Sequence, residues 1–344
     1  MGSHRAVALA VCLLLGTAAR GDEEPPKTSL EAAPGSPGVV RKSELVQLLA
    51  STDRIAGQLS KLRGLPLKHP FKHGLHSRQE ILEYVIQQMD RHEPPAKLAA
   101  DELALRELGV IGPGDDYRKL LLEVLSEQIA GFYDPSAQTL YVADWIPAQA
   151  QSITLAHEIG HALQDQSFPL EAFVAEDKGN TDLTLARQAL VEGDGVAQMI
   201  LFQMMLNGIT ADVWADGSMG DRLAEGMANE SKQGSPALMR APLYLRESLL
   251  FPYVTGLRFV SALRKGKAWD AVDAGFRAPP ASTEQVMHPE KYFAHEQPVE
   301  VKVAAPPSLA AWTRVYDDVM GEAGFLFWFR QLGVPERVAE RASA

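Results

Sequence analysis

The chain has 344 residues, with 33 Lys+Arg against 44 Asp+Glu, a formal net charge of −11 and a single cysteine. Hydrophobic residues make up 46% of it, too many for a disordered chain. The acidic balance argues against a nucleic-acid partner, whose grip needs clustered basic residues to displace counterions, and one cysteine can form neither an intramolecular disulfide nor a Cys-based zinc cluster.

Residues 1–21 carry a positive start at Arg5, an apolar run of 14 residues from Ala6 to Ala19, and small residues after it. This is the pattern of a secretory signal peptide, and the run is short for a bilayer span. The expectation is therefore an exported protein with no stable membrane insertion after cleavage. Cys12 lies inside the run behind Val11, which does not fit a lipidation site. Removal of the segment leaves a cysteine-free chain with 31 basic and 44 acidic residues, a net of −13. Residues 22–42, rich in Pro, Gly, Ser and charge, read as a flexible linker.

Residues 43–112 read as an N-terminal helical region. Ser43 is placed to cap a helix over 44–62, with Leu45, Leu48, Leu49, Ile55 and Leu59 on one stripe. Ser77 is placed to cap another, with Glu80 completing a capping box. Further helices are expected near 95–108 and 116–129. Between them, the segment with His69, His73 and His76 is broken by Pro70 and Gly74 and flanked by Lys68, Lys72 and Arg78, so it reads as a solvated basic loop. Residues 131–144 then read as two short strands around Asp134-Pro135-Ser136-Ala137.

Residues 152–166 contain His157-Glu158-Ile159-Gly160-His161, an H-E-x-x-H sequence on an apolar helical pattern. On a helix the two imidazoles lie one turn apart on one face and can share a metal, while Glu158 sits beside that face. A catalytic zinc takes three protein ligands and keeps one position open. Gln164 and Ser167 stand where a third histidine motif would need Gly and His, and no histidine follows before His288. A carboxylate is the expected third ligand. A second apolar helical run, 181–206, places Glu192 and Asp194 in its middle, where a carboxylate is costly unless paired or metal-bound. Glu192 is the expected ligand. Asp194 is the first choice as acceptor for a histidine N–H, ahead of Asp165 and Asp182. Gly193 and Gly195 would let another backbone pack closely.

HEIGH followed by ALVEGDGVA resembles the gluzincins, zinc metallopeptidases with two histidines from H-E-x-x-H and a glutamate from a later helix. HALQDQSF, the FYDP and LYV stretches and 279–293 resemble a branch of exported prokaryotic proteins, and the likeness covers roughly residues 115–295. It implies a mainly α (α+β), zincin-like fold, with a small antiparallel sheet before the H-E-x-x-H helix and a metallopeptidase domain over 113–300. It implies Zn2+ on His157, His161 and Glu192, Glu158 as general base and acid, and His288 or Tyr292 as oxyanion donor, with Tyr133 and Tyr141 ranked lower. A peptide or protein substrate, lying along 138–142 as an edge strand, and a periplasmic or extracellular place in a bacterial cell envelope follow from the same likeness. The spacing from His161 to Glu192 is longer than in thermolysin-like members.

Two other readings stay open: a non-catalytic, metal-stabilised scaffold, and an iron or manganese enzyme using the same ligands. Residues 43–112 could be an inhibitory prosegment or a supporting lobe. Downstream, 236–264 reads as core, VEVKVA after Gln297 as a short strand, and 301–344 as a C-terminal region that is helical from Glu322 onward.

Overall fold

The computed structural model describes residues 42–92, 94–175, 179–215, 217–230, 235–303, 305–315 and 317–344. The signal-peptide and linker expectations therefore lie outside the described residues, apart from Lys42. The chain is mainly helical with a small mixed three-stranded sheet. In order it runs α1 (Lys42–Ala50), α2 (Thr52–Arg63), β1 (Lys72–His76), α3 (Arg78–His92), α4 (Pro95–Glu107), α5 (Tyr117–Gln128), β2 (Gly131–Asp134), β3 (Thr139–Ala143), α6 (Ala148–Ser167), α7 (Leu170–Phe173) and α8 (Thr181–Leu206). It continues with α9 (Ser218–Glu230), α10 (Pro236–Arg240), α11 (Leu243–Arg264), α12 (Asp270–Arg277), α13 (Thr283–Met287), α14 (Pro289–Phe293), a 3-10 turn (Pro307–Leu309), α15 (Gly321–Gln331) and α16 (Glu336–Ser343).

Local chemistry accounts for many boundaries. The Ser77–Glu80 capping box forms: Ser77 N–H donates to Glu80 Oε2 at 2.7 Å, and Glu80 N–H to Ser77 Oγ at 3.3 Å. Asp116 accepts from Lys119 N–H at 2.9 Å and Asn180 from Leu183 N–H at 3.0 Å, which caps α5 and α8. The single helix expected over 44–62 is two. Helix α1 already includes Ser43, and the run breaks at Ser51, whose hydroxyl donates to Leu48 O at 2.7 Å and so competes with the helical ladder.

The hairpin of β2 and β3 turns on Asp134, whose Oδ1 accepts from Ser136 N–H at 2.9 Å and Ala137 N–H at 3.1 Å. Two expectations about the sheet need correction. The basic segment is not wholly loop: Lys72–His76 pairs in parallel with β3, and the His76 ring packs on Tyr141 at 4.1 Å. The sheet order is thus β1-β3-β2, mixed rather than antiparallel. Because both sides of β3 are occupied, 138–142 is the central strand and offers no edge to a substrate. Nor do residues 299–303, the described part of VEVKVA, form a strand. Val299, Val301 and Val303 are at least 80% exposed, and alternation without a strand to pair with does not build a ladder. The helical C-terminal stretch is interrupted after Gln331, where Gly333 takes a φ of 73° and Pro335 follows.

One core cluster draws on Ile81, Val85 and Leu105 near the start, Leu190 and Leu257 in the middle, and Phe327 near the end. A second joins Ile55 and Leu59 of α2 to Tyr133, Leu140, Leu155, Ile159 and Phe202. By length and composition α8 could cross a membrane, but most of its apolar window is buried, since it packs against α6 and α11 as a core helix.

Candidate metal centre

Helix α6 presents His157, His161 and Gln164, positions i, i+4 and i+7, to α8. Helix α8 answers with Glu192, Asp194, Gly195 and Gln198. Close approach depends on the glycines. A Cβ on Gly193 would stand 2.2 Å from the Gly256 backbone of α11, so α8 and α11 meet main chain to main chain there. A Cβ on Gly195 would stand 2.9 Å from His157 Cε1 and 3.1 Å from His161 Cε1, so this glycine makes room for the imidazoles rather than for a backbone.

The expected ligand residues converge. His157 Nε2 and His161 Nε2 lie 2.9 Å apart, and Glu192 Oε2 lies 3.2 Å and 3.3 Å from them. A tetrahedral zinc with ligands at about 2.0–2.1 Å places neighbouring donor atoms about 3.3 Å apart, so the set fits such an ion. These three buried residues could hold a metal ion. The electrostatics agree. Burial opposes charge on His161, yet Glu192, Glu158 and Gln164 together push the imidazole up to about 9. Burial would raise Glu192, but the two imidazoles hold its carboxyl below the usual range. Burial, with His161 adding to it, pushes His157 down.

Glu158 stands outside this group of three. It lies 1% exposed, accepts the Tyr133 N–H of β2 at 2.8 Å, and is near enough for its charge to help raise His161. The strand edge that faces this carboxylate is therefore that of β2. His157, His161 and Glu192 are equally enclosed, at 1–2% exposure.

Beyond the ligands, His161 Nδ1 lies 2.8 Å from Gln164 Oε1, not from a carboxylate. Asp194, the first choice for that role, stands one step further out and accepts from Gln164 Nε2 at 2.8 Å. Asp165 instead accepts from Tyr133 O–H and Leu170 N–H, and Asp182 from Thr283, so neither serves the histidines. Gln164 could have been found from sequence as a buried polar position two turns after His157. Arg63, which pairs with Asp194 at 2.6 Å, left no local signal, because the pair is 131 residues apart.

The two expected oxyanion donors are engaged elsewhere. His288 Nε2 lies 2.9 Å from Glu322 Oε1, and Tyr292 donates its hydroxyl to Ala278 O at 2.8 Å. Among the described residues, neither touches the ligand set. Tyr133 spends its hydroxyl on Asp165, and Tyr141 packs on His76 and Phe132. Tyr253 of α11 stacks its ring on His157, 6.1 Å between centroids; nothing in the sequence pattern of 236–264 separates it from ordinary core. No family model, curated protein or solved structure matches the chain.

Proposed function

We propose that the protein is an exported zinc-dependent peptidase with a zincin-like centre. The observation that carries this reading is the convergence of His157, His161 and Glu192 with Glu158 beside them but outside the ligand set. A structural zinc is usually closed by four protein ligands and needs no extra carboxylate. A bound zinc would supply a Lewis acid that acidifies water and polarises a peptide carbonyl. Glu158 would accept the proton of the attacking water on its carboxylate and return it to the departing amine. The Tyr133 N–H holds that carboxylate in place meanwhile. Export rests on the pattern of residues 1–21, and a peptide or protein substrate rests on the resemblance of HEIGH and VEGDG to gluzincins.

A second reading, a non-catalytic metal-stabilised scaffold, draws support from the 1–2% exposure of all four residues. The enzyme reading requires a local opening to admit a peptide, and the scaffold reading does not. A peptide-library cleavage assay on the wild type and Glu158→Gln separates them. The enzyme reading expects cleavage by the wild type and a loss of about 10²–10⁴-fold in the variant, the usual worth of a general base. Equal activity in the two, or none in a zinc-loaded wild type, contradicts it.

A further inference from the structure

We infer that a buried relay, Arg63–Asp194–Gln164, fixes the tautomer of His161 that faces the metal, which makes the N-terminal helix α2 a working part of the metal centre. The inference rests on the proposed metal site and concerns residues outside it.

The chemistry of Gln164 sets the direction of the relay. Its amide nitrogen lies 2.8 Å from Asp194 Oδ2 and 3.0 Å from the carbonyl of Val191. Both partners can only accept, so both amide hydrogens point to them. The amide oxygen is then turned to His161 Nδ1, at 2.8 Å. An amide oxygen cannot donate, so Nδ1 carries a proton and Nε2 is the nitrogen presented to His157 and Glu192. With the amide reversed, its oxygen would face two acceptor oxygens in a buried site, a costly arrangement.

Asp194 holds the amide this way round, and Arg63 holds Asp194. The Arg63 Nε donates to Asp194 Oδ1 at 2.6 Å, and Gln198 Nε2 donates to Asp194 Oδ2 at 3.2 Å. Arg63 is fully buried, with a second guanidinium nitrogen 2.8 Å from Asp273 of α12 and its Cζ 4.9 Å from the centre of the Trp269 ring. Burial alone would lower the guanidinium, and the two carboxylates more than reverse that. Without Arg63, Asp194 would be a buried charge with no counter-ion. Gln164, Asp194 and Arg63 are thus positioning residues, and the last of them comes from the end of α2, ahead of the Gly64 cap. A removable inhibitory segment could not leave without stranding Asp194, so the relay assigns α2 to the supporting lobe.

The test is zinc affinity, read by competition with a chromophoric chelator on the mature chain, alongside the melting temperature of each metal-free protein. Gln164→Ala, which removes the acceptor of His161 together with the donors to Asp194 and Val191, is expected to weaken zinc binding about 10–100-fold, the usual cost of losing such a partner, and to lower the metal-free melting temperature without unfolding the protein. Arg63→Met should weaken zinc further. Arg63→Lys should recover part of the loss, since an ammonium restores the charge but serves only one of the two carboxylates. If Arg63→Met fails to fold, Gln164→Ala still decides. A wild type that binds zinc with Gln164→Ala binding it equally well, or Arg63→Lys no better than a folded Arg63→Met, overturns the relay alone. A wild type that binds no zinc overturns the metal centre and the relay together.

Discussion

At the scale of single residues, the centre is held by what is small as much as by what coordinates. Gly195 lies against both imidazoles, and a methyl group there would enter at 2.9 Å from His157 and 3.1 Å from His161. Each ring must then give by a few tenths of an ångström, away from Glu192. Gly195→Ala is therefore expected to lower zinc affinity at least about tenfold, comparable to losing an outer partner of a ligand. Calorimetric zinc titration checks this, and an unchanged affinity would mean that the rings have slack. The three residues that could hold a metal have local signals in the sequence: an i, i+4 histidine pair on an apolar helix, and a carboxylate in the middle of a buried one. The outer residues were less so. Gln164 was weighed only as the residue that breaks a longer histidine motif, although it accepts the His161 N–H.

At the scale of elements, α8 is the central beam, and two contacts show how it is fixed. The first is the crossing with α11. The Gly193 Cβ position lies 2.2 Å from the Gly256 backbone, and that of Gly256 lies 2.0 Å from Ala189 O, so neither helix can carry a side chain at the contact. Gly193→Ala must push main chain from main chain, and is expected to cost at least about 1–3 kcal/mol, the range for overpacking. Urea unfolding measures it; a midpoint equal to wild type would contradict so close a crossing. The second contact is at the start of α8. Asp182 accepts from Thr283 N–H at 3.1 Å and from the Thr283 hydroxyl, which itself accepts Ala323 N–H at 3.1 Å. Asp182 thereby ties α8 to α13 and α15. Burial pushes its carboxyl up to about 6, against Thr283, which acts to lower it. The native state thus holds this proton more tightly than the unfolded chain does. The contribution is complete below pH of about 4 and is lost as pH rises through 6, an effect of up to about 3 kcal/mol. Asp182→Asn should flatten stability against pH across that window relative to wild type. Parallel slopes for the two proteins in urea titrations from pH 4 to 7.5 would contradict it.

At the scale of the whole molecule, the H-E-x-x-H helix, the hairpin before it and the long core helix after it were all readable, since periodicity and turn chemistry act over a few residues. What escaped reading depends on partners distant in sequence. The segment Lys72–His76 becomes a strand because β3 lies alongside it, whereas 299–303, with the better alternation, pairs with no strand among the described residues. His288 and Tyr292 lie downstream, where the gluzincin likeness places a donor, but Glu322 and Ala278 engage them. Helix α2 reaches the outer residues of the centre through Arg63, which meets Asp194 across a separation of 131 residues. The central claim is that this assembly converges on one zinc, and elemental analysis of the purified mature chain tests it most directly. One zinc per chain is expected in the wild type and in Glu158→Gln, and its loss in Glu192→Ala. A zinc-free wild type, or a Glu192→Ala variant that keeps its zinc undiminished, would contradict it.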